Sequence, residues 1–374
     1  MIMKVLTWLS RIIFGVAFIF AGFTKAIDPL GSVYIFDDYF IAFGMDWLMP
    51  LSLPLAIILN SLELVVGIAI LLGLKMRLSA WAGLLFMIFF TPLTLYIAIT
   101  DAVAHCGCFG DAWVITNWET FYKNLILLAA AILIFIQKDK IQPLWSHKKD
   151  WWLAGGFTIL AVWLSIFCLR NLPVMDFRPW KVGNDITEQL KPVQEGKSEF
   201  VFIYENTKTG EKKEFEMDDL PYAEDGWQYV DRKEIVIKEH IPSPIGNFDI
   251  RDDYEIDHTE KYVGNPDYQF IVVTYDLRTT NKKAFKEKIN DIANNAIEDG
   301  YSFIVLTSSS YQETDSFRHE YQTPYEFYYS DERELKTIVR SNPGLVLMKD
   351  GIVLGKWHYR NMPSYDEIDE KLMQ

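Results

Sequence analysis

Cysteine is scarce in this chain: three residues in 374, at positions 106, 108 and 168. Three are too few for a disulfide framework. Histidine is scarce too, and His240, His258, His319 and His358 are scattered with no metal-ligand spacing. No Gly-rich phosphate loop follows a strand pattern. A basic excess is also missing. The net charge is −14, and phosphate contacts need clustered Lys and Arg, so nucleic acid is excluded as a partner.

Charge of either sign is missing over long stretches of residues 1–170, which carry a net +1 and leave −15 for residues 171–374. The first part has a membrane composition and the second an acidic, soluble one. About 20 apolar residues cross the hydrocarbon core as a helix. Five runs qualify: Val5–Phe23, Met49–Leu72, Leu78–Ile99, Phe121–Ile136 and Trp151–Leu169. The lipid bilayer is therefore the first expected partner. No small-x-small cleavage site follows the first run and four more runs come after it, so it reads as an uncleaved anchor.

Orientation follows from Lys and Arg in short loops. Lys4 and Arg11, Lys75 and Arg77, and Lys138, Lys140, Lys148 and Lys149 share one side, expected to be cytoplasmic. The N-terminus is then inside and the C-terminal domain outside. Trp47, Trp113, Trp118 and Trp180 fall at the outer interface, and Trp8, Trp145, Trp151 and Trp152 at the inner one. All three thiols lie on the oxidising side, where disulfides persist.

Cys106 and Cys108 flank Gly107 in "AHCGCFGDAW". Cysteines one residue apart close only a small ring, and strained, exposed disulfides are the oxidising ones. A candidate redox pair, a pairing of one of them with Cys168, a structural disulfide and idle thiols all remain open. His105 is a candidate to stabilise a thiolate. Glu63 lies deep in the second run, where a carboxylate faces the bundle interior and finds a partner. Arg11 and Lys25 are the candidate partners, with Asn60 and Ser61 as hydrogen-bonding neighbours. Glu63 reads either as a proton or headgroup site or as a structural ion pair. "SVYIFDDYFIAFG" (Ser32–Gly44) reads as an amphipathic helix on the outer surface, above the cysteine loop.

"RIIFGVAFIFAGFTKAIDPLG", "SLELVVGIAILLGLKMRLSAWAGLLFM" and "HCGCFGD" together resemble the DoxX/MauE-type family of bacterial membrane proteins, over about residues 8–137. The resemblance implies a four-helix membrane bundle linked to thiol or quinone-connected redox chemistry. A quinone cofactor is an expectation from the resemblance alone.

After the Pro173, Pro179 and Gly183 linker come a hairpin ("FVFIYENTKTGEKKEFEM") and a further strand region. From Tyr268 the order is βαβ, then β, α and a hairpin turning at Asp350-Gly351. This is similar to the thioredoxin fold, over about residues 241–360, with Asn342-Pro343 at the place of that family's cis-proline. The Cys-x-x-Cys that should follow the first core strand is absent. "YDLRTTN" stands there, and a thiolate is the nucleophile of that chemistry. Such a domain docks or binds rather than reduces. Tyr275, Arg278, Thr280 and Pro343 mark the edge where the resembling fold binds extended peptide, here a candidate surface for a periplasmic client.

The expected architecture is an α-helical membrane bundle of four helices plus a fifth transmembrane helix, followed by an α/β thioredoxin-like soluble domain with a β-rich extension. The expected divisions are 1–140 (four-helix bundle), 141–170 (cytoplasmic loop and fifth helix), 171–240 (linker and β-rich extension) and 241–374 (degenerate thioredoxin-like domain). Two functions remain: a membrane redox protein passing electrons between an outer thiol partner and a lipid-soluble carrier, or a non-catalytic scaffold or assembly factor holding a periplasmic client. The sequence does not decide between enzyme and non-enzyme, nor the oligomeric state.

Overall fold

The computed structural model describes residues 2–142, 150–221, 226–238 and 241–373. Trp145, Lys148, Lys149 and His240 lie outside them. The six long helices of the first part are α1 (Ile2–Ile27), α2 (Pro29–Ala42), α3 (Ser52–Leu72), α4 (Met76–Thr100), α5 (Asn117–Gln137) and α6 (Asp150–Arg170). Among the described residues, five helices are long and apolar enough to cross a membrane: α1, α3 with the turn that precedes it, α4, α5 extended to Lys140, and α6. These are the five expected spans. Their outward faces carry exposed Leu, Ile, Phe and Trp, as bilayer contact requires.

Local sequence sets the breaks between helices. Asp28 caps α2, accepting the Gly31 N–H at 3.1 Å, with Pro29 in the first turn. Thr116 and Glu119 form a capping box at the start of α5. Gly73 ends α3 in the left-handed region. The bundle core runs through Phe14, Phe18, Ile70, Met87 and Ile134. Helices α1 and α3 approach closest. A Cβ on Gly22 would lie 2.4 Å from the Leu64 nitrogen, and one on Gly67 would lie 2.7 Å from the Ile19 nitrogen. Only glycine at both places lets the backbones meet.

The second part holds two sheets. Strands β1 (Lys197–Asn206), β2 (Lys212–Glu216) and β3 (Trp227–Lys238) form an antiparallel sheet in the order β2-β1-β3. The larger sheet contains β4 (Tyr268–Val273), β5 (Ser302–Thr307), β6 (Glu326–Tyr329), β7 (Gly344–Lys349) and β8 (Ile352–His358), in the order β6-β5-β4-β7-β8. β4, β5 and β6 are parallel; β7 and β8 run antiparallel to their neighbours. Asp350 and Gly351 turn between β7 and β8 with φ of 50° and 79°, as a tight hairpin requires.

Helices cover the larger sheet on one face: α7 (residues 282–298), α8 (Tyr311–Tyr321) and the C-terminal α10 (Tyr365–Leu372), over Phe270, Val305 and Leu347. α9 (Glu332–Ile338) and the segment around Phe248 and Tyr262 cover the other, over Ile271, Leu306 and Val346. Trp180 and Ile186, in the stretch assigned by composition to the linker, are fully buried in this second core. Trp180 was expected at the outer aromatic belt. Instead it stacks edge-on against Phe248 inside the soluble domain, because a ring beside a sheet face loses more water-exposed area there than at a headgroup layer.

Candidate functional site

The loop between α4 and α5 returns over the end of the bundle that carries α2. Gly107 has φ of 68°, and a Cβ there would lie 2.9 Å from Ile35 of α2. Both the backbone conformation and the space demand glycine. The turn places the Cys106 and Cys108 sulfurs 3.0 Å apart. Both cysteines are unbridged and half-buried. The Tyr39 hydroxyl of α2 donates to the Cys106 carbonyl at 3.5 Å. So α2 lies against the cysteine loop.

The two thiols are not equivalent. Hydrogen bonding to Cys108, with burial, pushes the Cys106 thiol well above the usual range. The same hydrogen bond, helped by the Lys123 and Lys25 charges, pulls Cys108 below it. Below the thiols lies a cavity of about 80 Å³, room for several waters or part of a small planar group. Its apolar wall includes Phe18, Ile35, Phe86, Phe90 and Leu127; its polar wall includes Lys25, Ser32, Asn60, Glu63 and Lys123.

Lys25 and Glu63 form an ion pair within this wall. Of the two cations expected to serve Glu63, Lys25 does so. Arg11 instead donates to the Ile70 and Leu71 carbonyls at 3.0 and 2.8 Å, satisfying the C-terminal end of α3. Asn60 donates to the Lys25 carbonyl at 3.0 Å and to Ser32 at 2.9 Å, tying α3 to both ends of the α1–α2 corner. His105 is half-buried beside the pair. Cys168 is buried at the end of α6 and is not among the residues lining the cavity.

Residues 3–137 match the family model of methylamine utilisation protein MauE. The MauE-like segment spans α1 to α5 and contains both thiols, the Lys25–Glu63 pair and the cavity. Residues 198–239 match a domain of unknown function (DUF8463), which coincides with the three-stranded sheet. No curated protein and no solved structure matches the chain.

The sheet-containing second part rests on the end of the MauE-like bundle that carries the α1–α2 corner and the cysteine loop. Arg340, 5 % exposed, pairs with Asp28 at the start of α2 and with Asp111 in the cysteine loop. Arg333 reaches Asp38 at 2.8 Å. Lys336 and Arg340 lie over the Tyr34 ring, and Lys336 also lies over the Tyr275 ring. Of the four edge residues singled out in the soluble domain, Tyr275 is half-buried against α2. Thr280 is buried and accepts from Thr274 at 2.9 Å. Pro343 is buried behind a cis bond from Asn342. Arg278 alone is open, beside Asp276 and Glu313. Asn281 caps the helix that follows, accepting the Ala284 N–H at 3.1 Å.

Sequence reading missed Lys123, Tyr39 and the Asp28–Arg340–Asp111 cluster. Lys123 carried a signal, a cation one turn inside an apolar span. The cluster carried none, since Asp28 and Arg340 are 312 positions apart.

Proposed function

We propose that this membrane protein is a thiol–disulfide relay whose Cys106–Cys108 pair exchanges electrons between an outer dithiol protein and a lipid-soluble carrier. The observation that carries the reading is the placement of two adjacent, inequivalent thiols in the wall of a partly apolar cavity that also holds an ion pair. An outer dithiol attacks the Cys106–Cys108 disulfide, leaving two thiols here and a disulfide on the partner. Reclosure of the pair releases two electrons and two protons to the carrier. The resemblance noted above suggests a quinone, which when bound accepts that pair of electrons and protons.

The cavity residues suit such a headgroup. Lys25 and Asn60 supply donors on its polar side, and Phe86 and Phe90 supply flat apolar surface. Glu63 holds Lys25 in place and offers a proton-accepting oxygen. In this reading the N-terminus is cytoplasmic, and the thiols and soluble domain are periplasmic. The soluble domain, whose element order is that of a thioredoxin-like fold, contains no cysteine and serves as a docking arm fixed over α2 by Arg340.

The test is the redox state of the pair in cells. Acid-quenched cells are treated with a mass-tagged maleimide, before and after depletion of quinone. The expected result is an oxidised pair that becomes reduced when the carrier is removed, and mixed disulfides trapped by Cys108→Ser or Cys106→Ser. A pair that never changes state in either condition overturns the relay and leaves the scaffold function.

A further inference from the structure

Charge in the cavity does not balance. α1 supplies Lys25, α3 supplies Glu63, and these two neutralise each other. α5 supplies Lys123, α2 supplies the Ser32 and Tyr39 hydroxyls and no charge, and α4 supplies Phe86, Met87 and Phe90. The loop supplies the two thiols, with His105 next to them in the chain. Among the described residues no carboxylate forms an ion pair with Lys123. Its ammonium instead lies 4.5 Å from the centroid of the Phe109 ring, the residue that follows Cys108. A half-buried ammonium whose contact is a ring is under-compensated in a low-dielectric site.

We propose that Lys123 is the counter-ion of a Cys108 thiolate, which makes Cys108 the nucleophile of the pair and Cys106 its proton-bearing neighbour. The assignment deepens the relay reading and rests on it for its use in turnover, though the charge pairing itself is measurable without turnover. Geometry separates the two thiols. Cys106 is anchored through its carbonyl by Tyr39, and its sulfur lies 3.0 Å from the Cys108 sulfur, within reach of an S–H to a thiolate there. Cys108 joins directly to Phe109, whose ring sits against Lys123. The downward displacement of the Cys108 ionisation, due first to the hydrogen bond with Cys106 and then to the Lys123 and Lys25 charges, agrees with this placement. Lys123 is a positioning residue here: it holds the charge of another group.

The experiment uses the full chain, purified in detergent and reduced. Iodoacetamide alkylation of Cys106 and Cys108 is followed by peptide mass spectrometry as a function of pH. Each event forms an S–C bond and expels iodide, so its rate reports thiolate. The expected result is a Cys108 rate whose midpoint lies well below the ordinary thiol value of about 8.5, with Cys106 slower at neutral pH. Lys123→Met should raise the Cys108 midpoint by about one pH unit or more, and Lys123→Arg should restore it. If Lys123→Met does not yield a folded protein, Lys123→Gln carries the same comparison. An unchanged midpoint in the neutral variant, or faster alkylation of Cys106, overturns the proposal. An acidic Cys108 in a pair that never cycles in cells sinks the relay and keeps the pairing.

Discussion

Arg340 and Asp28 join the two halves of the chain. The guanidinium Nε lies 3.0 Å from both Asp28 carboxylate oxygens, and Nη2 lies 2.9 Å from one of them. The same Nη2 reaches Asp111 at 2.9 Å, three residues after Cys108. Burial alone would raise the Asp28 ionisation, but the Arg340 and Arg178 charges more than offset it and hold it below the usual range.

Arg340→Ala should therefore loosen the soluble domain from the bundle. It strands a buried carboxylate, a change of about 3–5 kcal/mol. Arg340→Lys should recover only part, because a single ammonium does not reproduce the forked contact. Faster proteolysis in the 171–177 stretch, with the bundle's own melting unchanged, is the expected readout; unchanged proteolysis in Arg340→Ala would remove the clamp role. The sign with pH follows. A carboxyl with a depressed native ionisation stabilises above its unfolded value and loses that contribution as pH falls through the native one. Docking should weaken on acidification below the ordinary aspartate range, and Asp28→Asn should abolish that dependence.

Gly22→Ala should separate α1 from α3. The added methyl would fall within 2.8 Å of the Leu64 nitrogen, Cα and Cβ, and Leu64 adjoins Glu63. A loss of about 1–3 kcal/mol is expected for such overpacking, read as a lower melting temperature in detergent. A melting temperature equal to that of the native chain would show that the helices part without cost.

Glu63→Ala should leave the Lys25 ammonium unpaired beside the cavity, costing about 3 kcal/mol or more. Glu119→Ala, whose carboxylate is solvent-exposed at the start of α5, should cost much less, because only the exposed half of a capping box is lost. Glu63→Gln distinguishes proton chemistry from a structural pair. Intact folding with a pair that stays reduced supports the proton role; normal cycling in the Gln variant refutes it.

His358 is 4 % exposed, and burial, then the Arg360 charge, pulls its ionisation down to about 4. It accepts the Arg360 N–H at 3.2 Å as a neutral ring. Between pH 6.5 and about 4 the unfolded chain takes up a proton that the folded one refuses, so stability falls with pH in that window. The loss is at most about 3 kcal/mol. His358→Gln should flatten the curve of soluble-domain melting against pH; a curve of the same slope would assign the acid sensitivity elsewhere.

A membrane-impermeant maleimide applied to intact spheroplasts should label reduced Cys106 or Cys108. Labelling that needs a permeabilised inner membrane would reverse the proposed orientation and remove the outer dithiol partner.

The five spans were legible because each is a local, continuous run, and bilayer thickness alone converts length into a helix. So were the hairpin at Asp350-Gly351 and the order of elements after Tyr268, which depend on residues a few positions apart. Glu63 announced itself as a carboxylate at depth, but whether Arg11 or Lys25 met it depended on how α1 lies along α3. That is set by Gly15, Gly22 and Gly67 together, not by any one stretch. The position of Trp180 needed the sheet it packs on, and the sheet is assembled from strands that all come much later in the chain, from Tyr268 to His358. The fate of the Tyr275 edge was decided the same way. An open peptide groove and a face closed by Tyr34 and Arg340 have the same local sequence, and only the meeting of α2 with the soluble domain distinguishes them. Charge balance around Cys108 is likewise tertiary: Lys25, Glu63 and Lys123 come from three helices, and their fields add in space, where the chain between them counts for nothing.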